Sequence, residues 1–504
     1  MEAVMEKNAN HRTLGITDLL VRIFRVIAIA TAAPILFCSI YAHPLLDDYW
    51  YGTATRAAWK ASHSFAEVLS AAFATVKDFY LNWSGSYTDV FINSLHGGIF
   101  GEQYYWICPV IVLILFLAGT YLLVETIYCK LLSQSRRRAE LVFLILITLS
   151  LNLMVSPVQS IYWWTSAIYY TGFYGCALIL ASRVLLLGEG KIGAFQKTHT
   201  MISMACSFLL MGGNLLTILT SVLAGFLYTI SVFMRRKSSR YQILFIELSL
   251  LAGFCTNVFS PGVGYRRSVN TGMGIFPAVG NSIISGLTSL EEYSTLIVII
   301  LFIPVVFLTI YSVRGAEYNF HYPVLFTMLS FGIYAAQWCP SWYSIGTEGE
   351  QRALSICHNL YFWFILLNCI YWCGWYEKRF GFHYENIESL GTDFQDHWKK
   401  YTTVFLTAAA ISLASYRSLD SIVGIGAWKL ILSGEGARYS RERFDQNRIL
   451  NHSSGKVQLE MVSEEPALLT VPGYLLDEDP EAWINQRIAE YYGLEEVTGI
   501  TSGS

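Results

Sequence analysis

Residues 19–41 read LLVRIFRVIAIATAAPILFCSIY, and residues 42–51 continue as AHPLLDDYWY. The first stretch carries two arginines near its start and no other charge. About 20 mostly apolar residues cross the hydrocarbon core of a bilayer as a helix, so this stretch reads as a membrane span. Pro44 ends it. The adjacent acidic pair Asp47-Asp48 then stands just past the span, where a carboxylate is costly unless it is partnered or used.

The remainder of the chain repeats the span pattern. Apolar types make up 54 % of the 504 residues and charged types 14 %, against about 25 % charged in soluble proteins. That composition excludes a mostly water-soluble enzyme and a disordered chain. The net charge of −3 argues against nucleic acid as a partner. Ten cysteines, none beyond Cys373, show neither a disulfide framework nor zinc spacing. No metal or other cofactor is expected.

The pattern predicts an all-α polytopic membrane protein with about eleven spans: Leu19–Tyr41, Tyr105–Tyr128, Leu141–Val155, Ala167–Leu187, His199–Gly212, Asn214–Phe233, Tyr241–Phe259, Tyr293–Val313, Tyr322–Trp338, Leu354–Trp375 and Tyr401–Tyr416. Residues 199–234 are interrupted by Gly212-Gly213-Asn214 and read either as two short spans or as one span with a re-entrant piece. Segments on the N-terminal side of the membrane hold 19 Lys and Arg, and the opposite loops before the tail hold six. The positive-inside rule then puts the N-terminus in the cytoplasm. Residues 1–416 form the membrane region, and 417–504 form an extracytoplasmic tail long enough for a small domain.

The first outer loop, 42–104, is not a linker. Phe65, Val68, Leu69, Ala72, Phe73, Val76, Phe79 and Tyr80 recur at steps of three and four and predict an amphipathic helix. Ser64 and Glu67 match a capping box at its start. A second short helix is expected after Ser86. Such helices lie in the membrane interface or pack on neighbouring spans.

Chemistry is expected on this outer side. Asp47 and Asp48 are candidate general bases, since a partly desolvated carboxylate has a raised pKa. The alternative makes Asp48 a helix cap and Asp47 its solvated neighbour. Arg352, Arg266 and Arg267 are scarce outer cations next to Gly- and Pro-rich turns. They suit phosphate binding or pairing with lipid headgroups and nearby glutamates. Tyr49, Trp163, Trp164, Trp342 and Tyr343 could contact a saccharide; an interfacial aromatic belt is the other reading.

Taken together, these residues resemble the GT-C superfamily of membrane glycosyltransferases. An inside N-terminus, one span, Leu46-Asp47-Asp48-Tyr49 and a long outer loop carry the resemblance. Tyr162-Trp163-Trp164-Thr165-Ser166-Ala167, the Asn214 turn, Ser260-Pro261-Gly262 with Arg266, and Pro340 through Arg352 extend it to about residue 375. It is closest to bacterial O-antigen glucosyltransferase-type proteins and their Gram-positive relatives. The resemblance implies a polyprenyl-phosphate-linked sugar donor, a cell-envelope glycan or glycolipid acceptor, an acidic base in the first outer loop, and residence in the cell membrane among its lipids. Related sequences are expected to carry an arginine near Trp83-Ser84-Gly85, where this chain has Ser86. The competing expectation is a transporter or flippase of lipid-linked saccharides, with Glu247 and Arg183 as its main mid-span ionisable groups, Arg183 near a span end where it can snorkel.

Overall fold

The computed structural model describes residues 2–269, 271–384 and 422–501, with a few positions between 400 and 408. Among the described residues, seven helices are long and apolar enough to cross a membrane: Thr17–Tyr41, Glu102–Leu131, Trp164–Gly188, Leu215–Met234, Arg240–Val258, Leu296–Val313 and Gln351–Arg379. The apolar part of the chain is thus a helical bundle, as expected of an all-α membrane protein. Three further expected spans are helices, but shorter ones: α6 (Arg136–Asn152), α9 (Gln196–Leu210) and α15 (Pro323–Ala335). The eleventh, 401–416, falls outside the continuously described residues.

The 199–234 question resolves into two helices, α9 and α10 (Leu215–Met234), separated by the Gly212-Gly213-Asn214 turn. Asn214 caps α10 by accepting from the Thr217 N–H at 2.8 Å. Both helices pack on α11 (Arg240–Val258). Asn257 of α11 donates to the carbonyls of Met211 and Gly213 and fastens the turn.

The first long loop, 42–104, folds as α2 (Asp47–Ser62), α3 (Phe65–Asn82) and α4 (Tyr87–Asn93). In α3 the buried stripe is Val68, Ala72 and Phe79, while Phe65 and Phe73 stay exposed. The helix therefore packs inward and offers apolar rings outward at once. The capping box is not formed: Ser64 is the N-cap, but its side chain makes no capping bond.

Two elements were not legible as such. Residues 275–293 form a helix, α13 (Ile275–Tyr293). Its small residues Ala278, Ser282, Ser285, Gly286 and Ser289 face the bundle, and Phe276, Ile284 and Leu287 face out. Residues 423–432, assigned above to the tail, form an apolar helix on α1 (Glu2–Phe37) and the end of α6. There Trp428 donates to the Ala30 carbonyl at 2.8 Å, and Asn152 accepts from the Gly424 N–H at 3.2 Å. The bundle therefore takes in residues as far as 432.

The C-terminal unit beyond it departs from an all-α description. A helix over Glu435–His452 leads to two parallel strands, Lys456–Glu460 and Glu496–Ile500, joined through a helix over Trp483–Tyr492. Val457, Leu459 and Val497 point inward and pack with Ile484, Ile488 and Tyr49 of the first loop. Parallel pairing needs such a crossover.

Candidate functional site

The two acidic residues at the start of α2 have different fates. Asp48 is fully buried and saturated with donors. Its Oδ1 accepts from the Thr165 N–H at 2.9 Å and the Thr165 hydroxyl at 2.5 Å. Its Oδ2 accepts from the Tyr105 hydroxyl at 2.5 Å and the Leu45 N–H at 3.0 Å. Burial still raises this carboxyl to about 6 against those bonds. Asp48 thus ties α2 to the helices Glu102–Leu131 and Trp164–Gly188 and has no oxygen to spare for a substrate.

Asp47 makes no hydrogen bond or ion pair among the described residues. It is half-buried, and burial raises its pKa while the Arg352 and Arg266 guanidiniums pull it back. The residue before it, Leu46, holds φ 39° and ψ −109°. A positive φ without glycine stores about 1–3 kcal/mol and clusters at functional sites. The bend turns the chain from the first span into α2, with Asp47 within electrostatic reach of the two arginines.

Each arginine reaches the cluster by its own route. Gly346 and Gly349 take φ of 70° and 105°, which L side chains resist. They turn the chain into α17 (Gln351–Arg379), and Arg352 falls in its first turn. Its guanidinium carbon lies 5.3 Å from the Trp163 ring centre and 5.9 Å from that of Tyr170. Its Nε is buried with no partner.

Arg266 belongs to α12 (Pro261–Val269), which is pressed onto the end of α3. A side chain at Gly262 would collide with the backbone nitrogens of Trp83 and Ser84. One at Gly85 would collide with the Asn257 carbonyl. The contact therefore needs glycine on both sides, and it lays the Arg266 guanidinium over Trp83, 5.3 Å from the ring centre. A cation thus stands at Trp83-Ser84-Gly85 although position 86 is serine. The Ser86 hydroxyl instead bonds Ser84 and Tyr169.

Arg267 is not brought to the cluster; its guanidinium stacks on Tyr343, 4.6 Å from the ring centre. Trp342 is bound through its indole N–H to the Ser285 hydroxyl at 3.0 Å. The expected saccharide contacts are corrected at three positions. Tyr49 is buried against Tyr491 and accepts from Arg443 at 2.7 Å, about 200° round the helix from Asp47. Trp163 is fully buried between Arg352 and Tyr474, and Trp164 is buried as well. None of the three has a ring face left for a sugar.

Asp89 was missed. It sits on α4, 3 % exposed, with Asn93 donating to it at 2.9 Å. Burial holds its carboxyl well above the usual range. Its charge and that of Asp47 both act on Tyr51. The period-of-four spacing that marks Asp47 and Tyr51 as one helix face was available. Nothing in the sequence joined Asp89 to it. No group of three or more His, Cys, Asp or Glu among the described residues could hold a metal ion.

The C-terminal unit docks on the chain just before α2 and on the face of α2 that carries Tyr49. Arg443, fully buried, donates to the Pro44 carbonyl at 3.1 Å, the Tyr49 hydroxyl at 2.7 Å and Gln446 at 2.9 Å. His43 is lodged between Glu102 at 2.5 Å and the Ser440 hydroxyl at 2.9 Å. Substitution Arg443→Met leaves Pro44 and Tyr49 without their donor, at about 1–3 kcal/mol for each buried group. The variant is expected to melt earlier and to release the C-terminal unit to protease faster. Unchanged melting and cleavage would mean this docking contributes nothing to stability.

The arrangement is therefore a carboxylate without a hydrogen-bond partner among the described residues, just past the first span and within electrostatic reach of Arg352 and Arg266. No family model, no curated protein and no solved structure matches this chain, so the chemistry of the cluster stands on that geometry.

Proposed function

We propose that the chain is a GT-C-type membrane glycosyltransferase that moves a monosaccharide from a polyprenyl phosphate to a cell-envelope glycan or glycolipid on the outer face. The observation carrying the reading is Asp47: unbonded, half-buried, and opposed by Arg352 and Arg266 without pairing to either. Eleven spans, a cytoplasmic N-terminus and an extracytoplasmic C-terminal unit belong to the same proposal.

The chemistry follows from charge. Asp47 takes the proton of an acceptor hydroxyl, and the oxygen attacks the anomeric carbon. The bond from that carbon to the phosphate oxygen breaks with inversion, and polyprenyl phosphate leaves with the extra negative charge. Arg352 and Arg266 stabilise that charge where it develops. Arg352 stands in the first turn of α17, where a helix dipole disfavours a cation and favours an anion. An anion there satisfies the dipole and the unpartnered Nε together.

The pH dependence has a defined sign. Asp47 must be ionised to act as base, and its folded pKa is raised. Activity therefore falls with decreasing pH at a higher pH than the ordinary value of about 3.9 would give. Arg352 lowers that pKa, so Arg352→Ala is expected to move the acid limb of its residual rate further up. A limb that stays in place would show that the two groups are not coupled.

One observation favours the transporter reading. Glu247 of α11 is 3 % exposed with both carboxyl oxygens unpartnered, and a side chain at Gly225 would strike it. Purified protein that consumes no lipid-linked sugar but carries one across liposomes, and loses that flux on Glu247→Gln, would establish this reading instead.

A further inference from the structure

Tyr474 lies in the C-terminal unit, some 120 residues beyond Arg352 in sequence, yet both side chains pack on Trp163. Its ring meets Trp163 edge to face at 4.9 Å and 69°, and Trp163 in turn carries the Arg352 guanidinium. One side-chain amide binds both ends of this arrangement. The Oε1 of Gln159 accepts from the Arg352 backbone N–H at 3.0 Å, and its Nε2 donates to the Tyr474 hydroxyl at 3.2 Å. The direction of both bonds is fixed. A backbone N–H only donates, so the amide oxygen must face Arg352 and the NH2 must face Tyr474.

The Tyr474 hydroxyl is therefore an acceptor toward Gln159, and its own proton is left to donate elsewhere. No acceptor for it occurs among the described residues. The hydroxyl is within electrostatic range of Arg352 and Asp47. Two donors next to Trp163, the Arg352 Nε and the Tyr474 O–H, thus have no partner among the described residues.

We propose that Tyr474 is a phosphate-binding residue of the donor site, its hydroxyl donating to the same lipid-linked phosphate that Arg352 binds. The inference rests on the glycosyltransferase reading and extends it: the donor site is shared between the membrane bundle and the C-terminal unit. Gln159 is the positioning residue that aims the hydroxyl. The ligand class is a monophosphate on a polyprenyl chain, one part held by the bilayer and the other by two donors at headgroup depth.

The test uses the full chain in detergent and undecaprenyl phosphate as probe, with binding read from tryptophan fluorescence, since Trp163 touches both Arg352 and Tyr474. Undecaprenol and inorganic phosphate serve as controls. Tyr474→Phe keeps the ring and removes only the hydroxyl, so folding is preserved, and unchanged thermal melting checks this. Losing one hydrogen bond to a charged group predicts affinity weaker by about tenfold or more. Because both residues bind one phosphate, Tyr474→Phe is expected to cost little further once Arg352→Ala is present.

If Arg352→Ala weakens binding and Tyr474→Phe does not, the Tyr474 inference fails and the donor-site reading stands. If neither variant changes binding, the phosphate is held elsewhere and both fail. Equal binding of inorganic phosphate would overturn the lipid-linked class. Full additivity of the two substitutions would place Tyr474 on a different group.

Discussion

Asp47→Asn is expected to reduce sugar transfer by about a hundred- to ten-thousandfold, the usual worth of a positioned general base, while leaving thermal stability unchanged. Its carboxylate makes no hydrogen bond, so replacing one oxygen by an amide breaks nothing in the fold. Asp48→Asn is expected to behave in the opposite way. Its Oδ2 accepts from both the Leu45 N–H and the Tyr105 hydroxyl. An amide NH2 there faces a backbone N–H that cannot reverse its role, which costs about 1–3 kcal/mol. That variant should melt earlier and lose activity only as far as α2 shifts. The pair of measurements, rate and melting midpoint on each variant, separates the two neighbours. Full activity in Asp47→Asn would remove the base assignment altogether.

The second large effect is expected at Arg352. Arg352→Ala removes a charge-assisted phosphate contact of about 1.5–3 kcal/mol, or roughly ten- to a hundredfold in donor affinity or rate. Arg352→Lys keeps the charge but loses the planar guanidinium that stacks on Trp163, and should recover only part of the loss. Arg266→Ala is expected to follow with a smaller effect, because Arg266 is exposed over Trp83. Arg267→Ala, with its guanidinium on Tyr343, is expected to be silent. Steady-state kinetics against donor concentration check the order. An Arg267 effect equal to that of Arg352 would contradict it.

What the sequence could convey follows from what is local in it. Long apolar runs announce themselves by length, so seven of the expected spans reappear as helices of spanning length. The amphipathic α3 was legible because its apolar residues repeat within one helix. The small-residue face of α13 was not, since serine, glycine and alanine facing a bundle read as a polar loop. The helix at 423–432 is only ten residues long and was too short to stand out.

The site divides along the same line. Asp47, Arg352 and Arg266 could be singled out because charge is scarce in the loops that hold them and their motifs are short. Their separation from Asp48, Tyr49 and Trp163 depends on contacts from distant segments. Asp48 is taken up by Thr165 and Tyr105, Tyr49 by Arg443, and Trp163 by Tyr474. Asp89 and Tyr474 reach the cluster only through α4 and the C-terminal unit. No spacing within the chain encodes those meetings.

The most direct test of the central claim is release of polyprenyl phosphate by the purified protein in liposomes supplied with polyprenyl-phosphate-linked sugars and envelope glycan acceptors. The account predicts product that depends on acceptor, is lost in Asp47→Asn, and is reduced in Arg352→Ala. Release that persists undiminished in Asp47→Asn, or protein that never cleaves a donor yet moves one across the bilayer, would contradict it.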